Sequence, residues 1–124
     1  NLIQVGDIQA EWDKYEGQGN YPITVLVLDA PFAKANPEAV KVILAAVKDS
    51  IEWVTAHPAE AGDLVEKHEL GIKAAAAAAS IPRSNYAFIE AKAARPALTA
   101  LYKTLLEFAP DSIGGKLPAD NFYY

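Results

Sequence analysis

The sequence contains neither cysteine nor methionine. Without cysteine it has no disulfide framework, no thiolate metal site and no cysteine nucleophile. The missing thiols do not fix a redox compartment, since they suit an extracytoplasmic protein and a cytosolic one alike. Positive charge is scarce: Lys plus Arg number 11 against 16 Asp plus Glu, giving a formal charge of -5 and a pI near 4.9. An acidic chain without a basic cluster is a poor partner for nucleic acid and for an anionic membrane surface. No apolar run approaches the roughly 20 residues that span a bilayer. No signal peptide is visible, although a cleaved one leaves no trace. A chain that begins at Asn1 and lacks methionine is expected to be processed or to be a piece of something longer.

Histidine is nearly as rare, with His57 and His68 alone in the sequence. They form no His-x-x-x-His or His-Glu-x-x-His pattern, and no carboxylate-rich loop accompanies them, so no metal is expected. Both stand at helix junctions, where capping and dipole roles suit them. Gly114-Gly115-Lys116 is followed by Leu117 and Pro118 rather than by the Ser or Thr and helix of a phosphate loop, and reads as a turn. No Gly-x-Ser-x-Gly elbow is present, and Ser50, Ser80, Ser84 and Ser112 have no base near them in sequence. Nothing in these residues points to an enzyme or a cofactor.

What is present is an ordinary globular balance: 124 residues, 52% hydrophobic and 22% charged. That is one domain's worth of chain, able to bury one real core. Residues 2–8 alternate weakly, with Ile3 and Val5 against Gln4 and Gly6, as in an edge strand. In residues 11–15, Trp12 and Tyr15 share one side of a helical turn, and Gly17, Gly19 and Asn20 form a break. Residues 23–28, Ile-Thr-Val-Leu-Val-Leu, are the best strand, apolar on both faces and opened by Pro22.

Helix signals follow. Asn36 is placed to cap, Pro37 to take the first helical position, and Glu38 to meet the positive end of the dipole. Val40, Ile43, Leu44, Val47, Ile51 and Val54 then fall on one stripe. This helix should end near Ala56, because His57 precedes Pro58. Pro58 opens a second helix that stops near His68. The alanine run 74–79 predicts a short, closely packed helix ending before Pro82. Residues 85–89 read as irregular and 90–108 as a helix, with Leu98, Leu101, Tyr102, Leu105 and Leu106 facing inward and Pro96 near its start. The tail ends in Phe122, Tyr123 and Tyr124, an aromatic cluster that should dock on something.

One strong strand and one weak one beside about four helices do not make a complete sheet. A strand of this quality needs partners, so the chain is expected to be the C-terminal part of a larger α/β protein. The acidic cluster of Asp7, Glu11, Asp13 and Glu16 reads as a solvated surface rather than a catalytic pair. Trp12, Tyr15 and Tyr21 flank the glycine break, where aromatic rings line a ligand cleft or pack on a core with equal ease.

Tyr21-Pro22-Ile23-Thr24-Val25-Leu26-Val27, then Phe32, Asn36-Pro37-Glu38-Ala39-Val40 and His57-Pro58-Ala59-Glu60-Ala61, resemble the C-terminal part of ABC-transporter substrate-binding proteins. The nearest subgroup is similar to sulfonate, nitrate and thiamine-precursor binders. Ile81-Pro82-Arg83-Ser84-Asn85, Leu106-Glu107-Phe108, residues 112–118 and the aromatic end look like one branch of the same proteins. The resemblance implies a type II periplasmic-binding fold of two α/β lobes with ligand held between them. Residues 1–21 would be the end of the second lobe and its hinge. Residues 22–124 would be a crossing strand and the C-terminal helices of the first lobe.

The implied function is extracytoplasmic binding of a small organic or oxyanion ligand, without chemistry, and its delivery to the membrane subunits of an ABC permease. The partners would be that ligand, the permease and the missing N-terminal part of the same protein, which could carry a lipid anchor in a periplasmic or extracellular location. Some relatives of this fold are enzymes of thiamine-pyrimidine synthesis with a cysteine-rich motif; the lack of cysteine here weighs against that. The residues expected at the ligand are Tyr21, Trp12 and Asn20. The alternative is a stand-alone helical interaction module. Such a module would cover residues 23–28 within its own chain, whereas a fragment leaves the edges of that strand to another segment.

Overall fold

The computed structural model describes residues 5–16 and 22–123. It is built from helices: α1 (Ile8–Glu16), α2 (Ala30–Ala35), α3 (Pro37–Ala56), α4 (Pro58–Lys67), α5 (Ala74–Ser80) and α6 (Ala91–Phe108). Short 3-10 turns occupy Ile81–Arg83, Pro110–Ile113 and Asp120–Phe122. The expected helices are present; α3 to α6 keep boundaries within a residue or two of those read from the sequence, while α1 extends the turn read at 11–15 back to Ile8.

The α/β expectation is corrected, because no strand forms among the described residues. Residues 22–29 have neither helix nor ladder, and the apolar side chains of 23–27 face solvent, with Ile23 83% and Val27 67% exposed, while Pro22 and Leu28 are half-buried. A ladder needs a second strand, and the described residues supply none. The weak strand at residues 2–8 also fails where it can be seen: residues 5–7 are irregular and Ile8 opens α1, while residues 2–4 lie outside the described residues.

The chain divides into two compact units, Leu28–Phe88 and the described residues up to Val27 together with Ile89 onward. In the first, Asp29 accepts a hydrogen bond from the Phe32 amide at 2.9 Å and starts α2. Asn36 was expected to cap α3 with its side chain. Instead its Nδ2 donates to the Phe32 carbonyl at 3.0 Å, covering the open end of α2. The donor-poor C-terminus of α2, directly beside it, takes the amide. Val40 is fully buried, and Ile43, Leu44, Val47, Ile51 and Val54 are half-buried along the expected stripe. Helix α3 closes at His57, whose amide and Nδ1 both meet the Trp53 carbonyl at 2.9 Å and whose ring stacks on Trp53. Pro58 then opens α4, which pairs with α5 around buried Ala61, Gly62 and Ala77.

In the second unit, α6 buries Leu98 and half-buries Leu101, Tyr102, Leu105 and Leu106, with Pro96 inside the helix. The chain then turns at Gly114 and Gly115, both in the left-handed region (φ 68° and 72°), so Gly114-Gly115-Lys116 is the turn expected of it. Of the aromatic end, Tyr123 docks, being only 9% exposed with the Arg95 guanidinium 5.2 Å from its ring centre, whereas Phe122 is exposed and Tyr124 lies outside the described residues.

Candidate functional site

Helix α1 is started by Asp7, which accepts from the Ala10 amide at 3.2 Å. Its acidic residues are used locally: Glu11 pairs with Lys14 at 2.6 Å, and Asp13 accepts from Gln9 at 2.7 Å. Asp7, Glu11 and Asp13 form a solvated helix surface, as the sequence suggested, while the side chain of Glu16 lies outside the described residues. Trp12 is half-buried and Tyr15 is exposed. Tyr21 and Asn20, the other two residues expected at the ligand, lie outside the described residues.

An open groove of about 590 Å³ runs along α6, and Tyr15 contributes to its wall while Trp12 does not. Arg95, Thr99 and Lys103 follow one another at four-residue spacing and form one ridge; Pro96, Ala100 and Thr104 form the next. The small side chain of Ala100 leaves the depression between them. Glu107 and Phe108 close the far end. Sequence reasoning missed this groove. Its signal was present in the repeat of polar residues every four positions on α6, but only the fold brings Tyr15 to it from some 80 positions away.

The cations of the groove differ in their surroundings. Arg95 is held by the Asp120 carboxylate and by the face of Tyr123. Lys103 is exposed and has no ion-pair partner among the described residues. A second hollow of about 110 Å³ lies between α6 and the tail, lined by Arg95, Thr99, Tyr102, Leu117, Pro118 and Tyr123. Burial, and then the charge of Tyr123, push the Tyr102 hydroxyl above its ordinary pKa.

The serine hydroxyls donate to carbonyls of their own turns: Ser50 to Ala46 at 2.7 Å, Ser80 to Ala77 at 2.9 Å, Ser84 to Ser80 at 2.9 Å and Ser112 to Ala109 at 2.7 Å. No group of three or more His, Asp or Glu side chains suited to a metal ion occurs among the described residues. No helix among them is long and apolar enough to cross a membrane.

Residues 8–61 match the family model described as NMT1/THI5 like, a family that includes ABC substrate-binding proteins. The matched stretch runs from α1 through the apolar segment 22–29, α2 and α3 into the start of α4. It supports the resemblance drawn from residues 21–27, 36–40 and 57–61, and is compatible with a solute-binding role. No curated protein and no solved structure matches the chain.

Proposed function

We propose that the chain is part of the extracytoplasmic solute-binding component of an ABC importer, of the kind that takes sulfonates, nitrate or thiamine precursors. It holds a small organic or oxyanion ligand between two lobes and passes it to the membrane subunits of a permease. The observation that carries this proposal is the segment 23–28, which is rich in β-branched residues, lies within the family match and stands largely exposed without a ladder. Exposed backbone and apolar side chains of this kind call for strand partners. In the proposal they come from the N-terminal part of the same protein, with residues 1–21 at the hinge and 22–124 in the first lobe. A stand-alone helical module would have covered the segment itself.

Native mass spectrometry of the longer protein, purified from its own cells, tests this. A small molecule retained at one per chain is the expected result. A bare protein that also fails to take up any member of a sulfonate, nitrate and pyrimidine panel overturns it. In the same protein Tyr21→Ala should weaken ligand binding by about 1–3 kcal/mol and leave the melting temperature nearly unchanged, as for a lost contact rather than a core cavity.

A further inference from the structure

We propose that residues 23–27 are a pairing surface for a second copy of this chain, the two segments lying antiparallel about a two-fold axis through Val25. The inference rests on the exposure of this segment and not on the two-lobe reading. In a longer protein an N-terminal part would occupy the same edges, and the pair forms between chains that lack it.

Exposure singles the segment out. Ile23, Val25, Leu26 and Val27 are all half or more exposed. No other five-residue stretch among the described residues exposes more than two large apolar side chains. No hydrogen bond among the described residues reaches 23–27, so the backbone donors and acceptors there are open to a partner. The area is sufficient. A folded monomer of 13.3 kDa exposes about 6,500 Å², and even two separate bodies of half that mass expose about 7,800 Å². This chain exposes 9597 Å². The surplus exceeds the roughly 800 Å² that each partner gives to a stable interface.

The sequence suits a copy of itself as the occupant. Residues 22–28 carry no charge, and 23–28 contain neither glycine nor proline, the composition of self-pairing β segments. With Val25 opposite Val25 of the second copy, Ile23 meets Val27 and Thr24 meets Leu26. One side of the ribbon is then made of β-branched Ile23, Val25 and Val27 from both copies. Charge sets the direction. Asp29, held by the Phe32 amide, starts α2 and ends the segment. In a parallel pair in register, Asp29 would stand about 5 Å from its counterpart. In the antiparallel pair the two are eight positions apart, about 27 Å, well beyond a screening length of about 10 Å. The net charge of -5 on each copy opposes growth beyond the pair.

Analytical ultracentrifugation of the 124-residue chain at neutral pH is the test. A mass of two chains is expected at concentrations on the order of 100 µM, with monomer on dilution, as suits a small interface. Val25→Lys and Val25→Glu each set like charges face to face and should weaken the dimer about tenfold. Mixing these two variants should restore it, because residue 25 faces itself. Mixing Ile23→Lys with Ile23→Glu should not, because residue 23 faces residue 27. Val42→Lys, exposed on α3, should leave the dimer unchanged. A chain that stays monomeric, or one that forms an open series of larger species, would overturn the proposal. So would a dimer indifferent to Val25→Lys with its helix content intact by circular dichroism, or a mixture of the two Val25 variants that pairs no better than either alone. Ligand retention by the longer protein has no bearing on any of these outcomes, so the two readings fail separately.

Discussion

Gly62 on α4 approaches α5 so closely that a Cβ added to it would sit 3.1 Å from both the Cβ and the backbone nitrogen of Ala78, and would overlap the Ala74 carbonyl oxygen. Glycine inside a helix ordinarily costs about 1 kcal/mol against alanine. Here the missing side chain is what lets the two backbones meet. The alanine run of α5 supplies the matching smooth surface, and Ala61 and Ala77 are buried at the same contact.

Gly62→Ala should therefore destabilise the protein by about 1–3 kcal/mol, because overpacking against a backbone outweighs the gain in helix propensity. Thermal unfolding followed by circular dichroism measures it. An unchanged or raised melting temperature would refute the close contact.

Val40 is the one large side chain that is wholly buried among the described residues. Val40→Ala removes two methyl groups and leaves a cavity, and should cost roughly 1.5–3 kcal/mol in denaturant unfolding. Val42→Ala, two positions along α3 and exposed, should change little.

Glu66 ties the start of α5 to α4, accepting from Lys73 Nζ at 2.7 Å and from the Ala74 amide at 2.8 Å. The Lys73 bond, and after it the Ala74 bond, hold its carboxyl below the ordinary 4.5, against a small opposing effect of burial. With the folded value below the unfolded one, the stabilisation is present above about pH 4.5 and is lost as pH falls through the folded value. Glu66→Gln should flatten the acid limb of a plot of stability against pH. An acid limb identical to that of the unmodified protein would show that the carboxylate contributes nothing.

Tyr102 should ionise late. Burial and then the neighbouring Tyr123 raise its pKa above 10.0. A raised folded value means that its contribution is complete below the unfolded pKa and is lost as pH climbs through the folded one. In an alkaline titration read by tyrosinate absorbance, Tyr102→Phe should remove the latest-titrating component. A curve that instead loses an early component would place Tyr102 in solvent.

Helix boundaries were legible in this sequence because their causes are local. Pro37 and Pro58 start helices, the residue before Pro58 ends one, and the stripe from Val40 to Val54 marks the inward side of α3. Helix α2 was missed although Asp29 and Pro31 announce it, because six residues are too few to show a period. Asn36 illustrates a finer limit: its sequence neighbours make it a cap, but the adjoining helix end decides which helix its side chain serves. The segment 23–28 has every local mark of a strand, yet a strand is completed by hydrogen bonds to residues distant in sequence, and the described residues provide none. The groove depends on distance in the same way. The four-residue spacing of Arg95, Thr99 and Lys103 is written in α6, whereas the arrival of Tyr15 and the hold of Asp120 on Arg95 arise only when separate segments pack together. Local backbone preference is encoded residue by residue, but a partner across space exists only once the chain has folded.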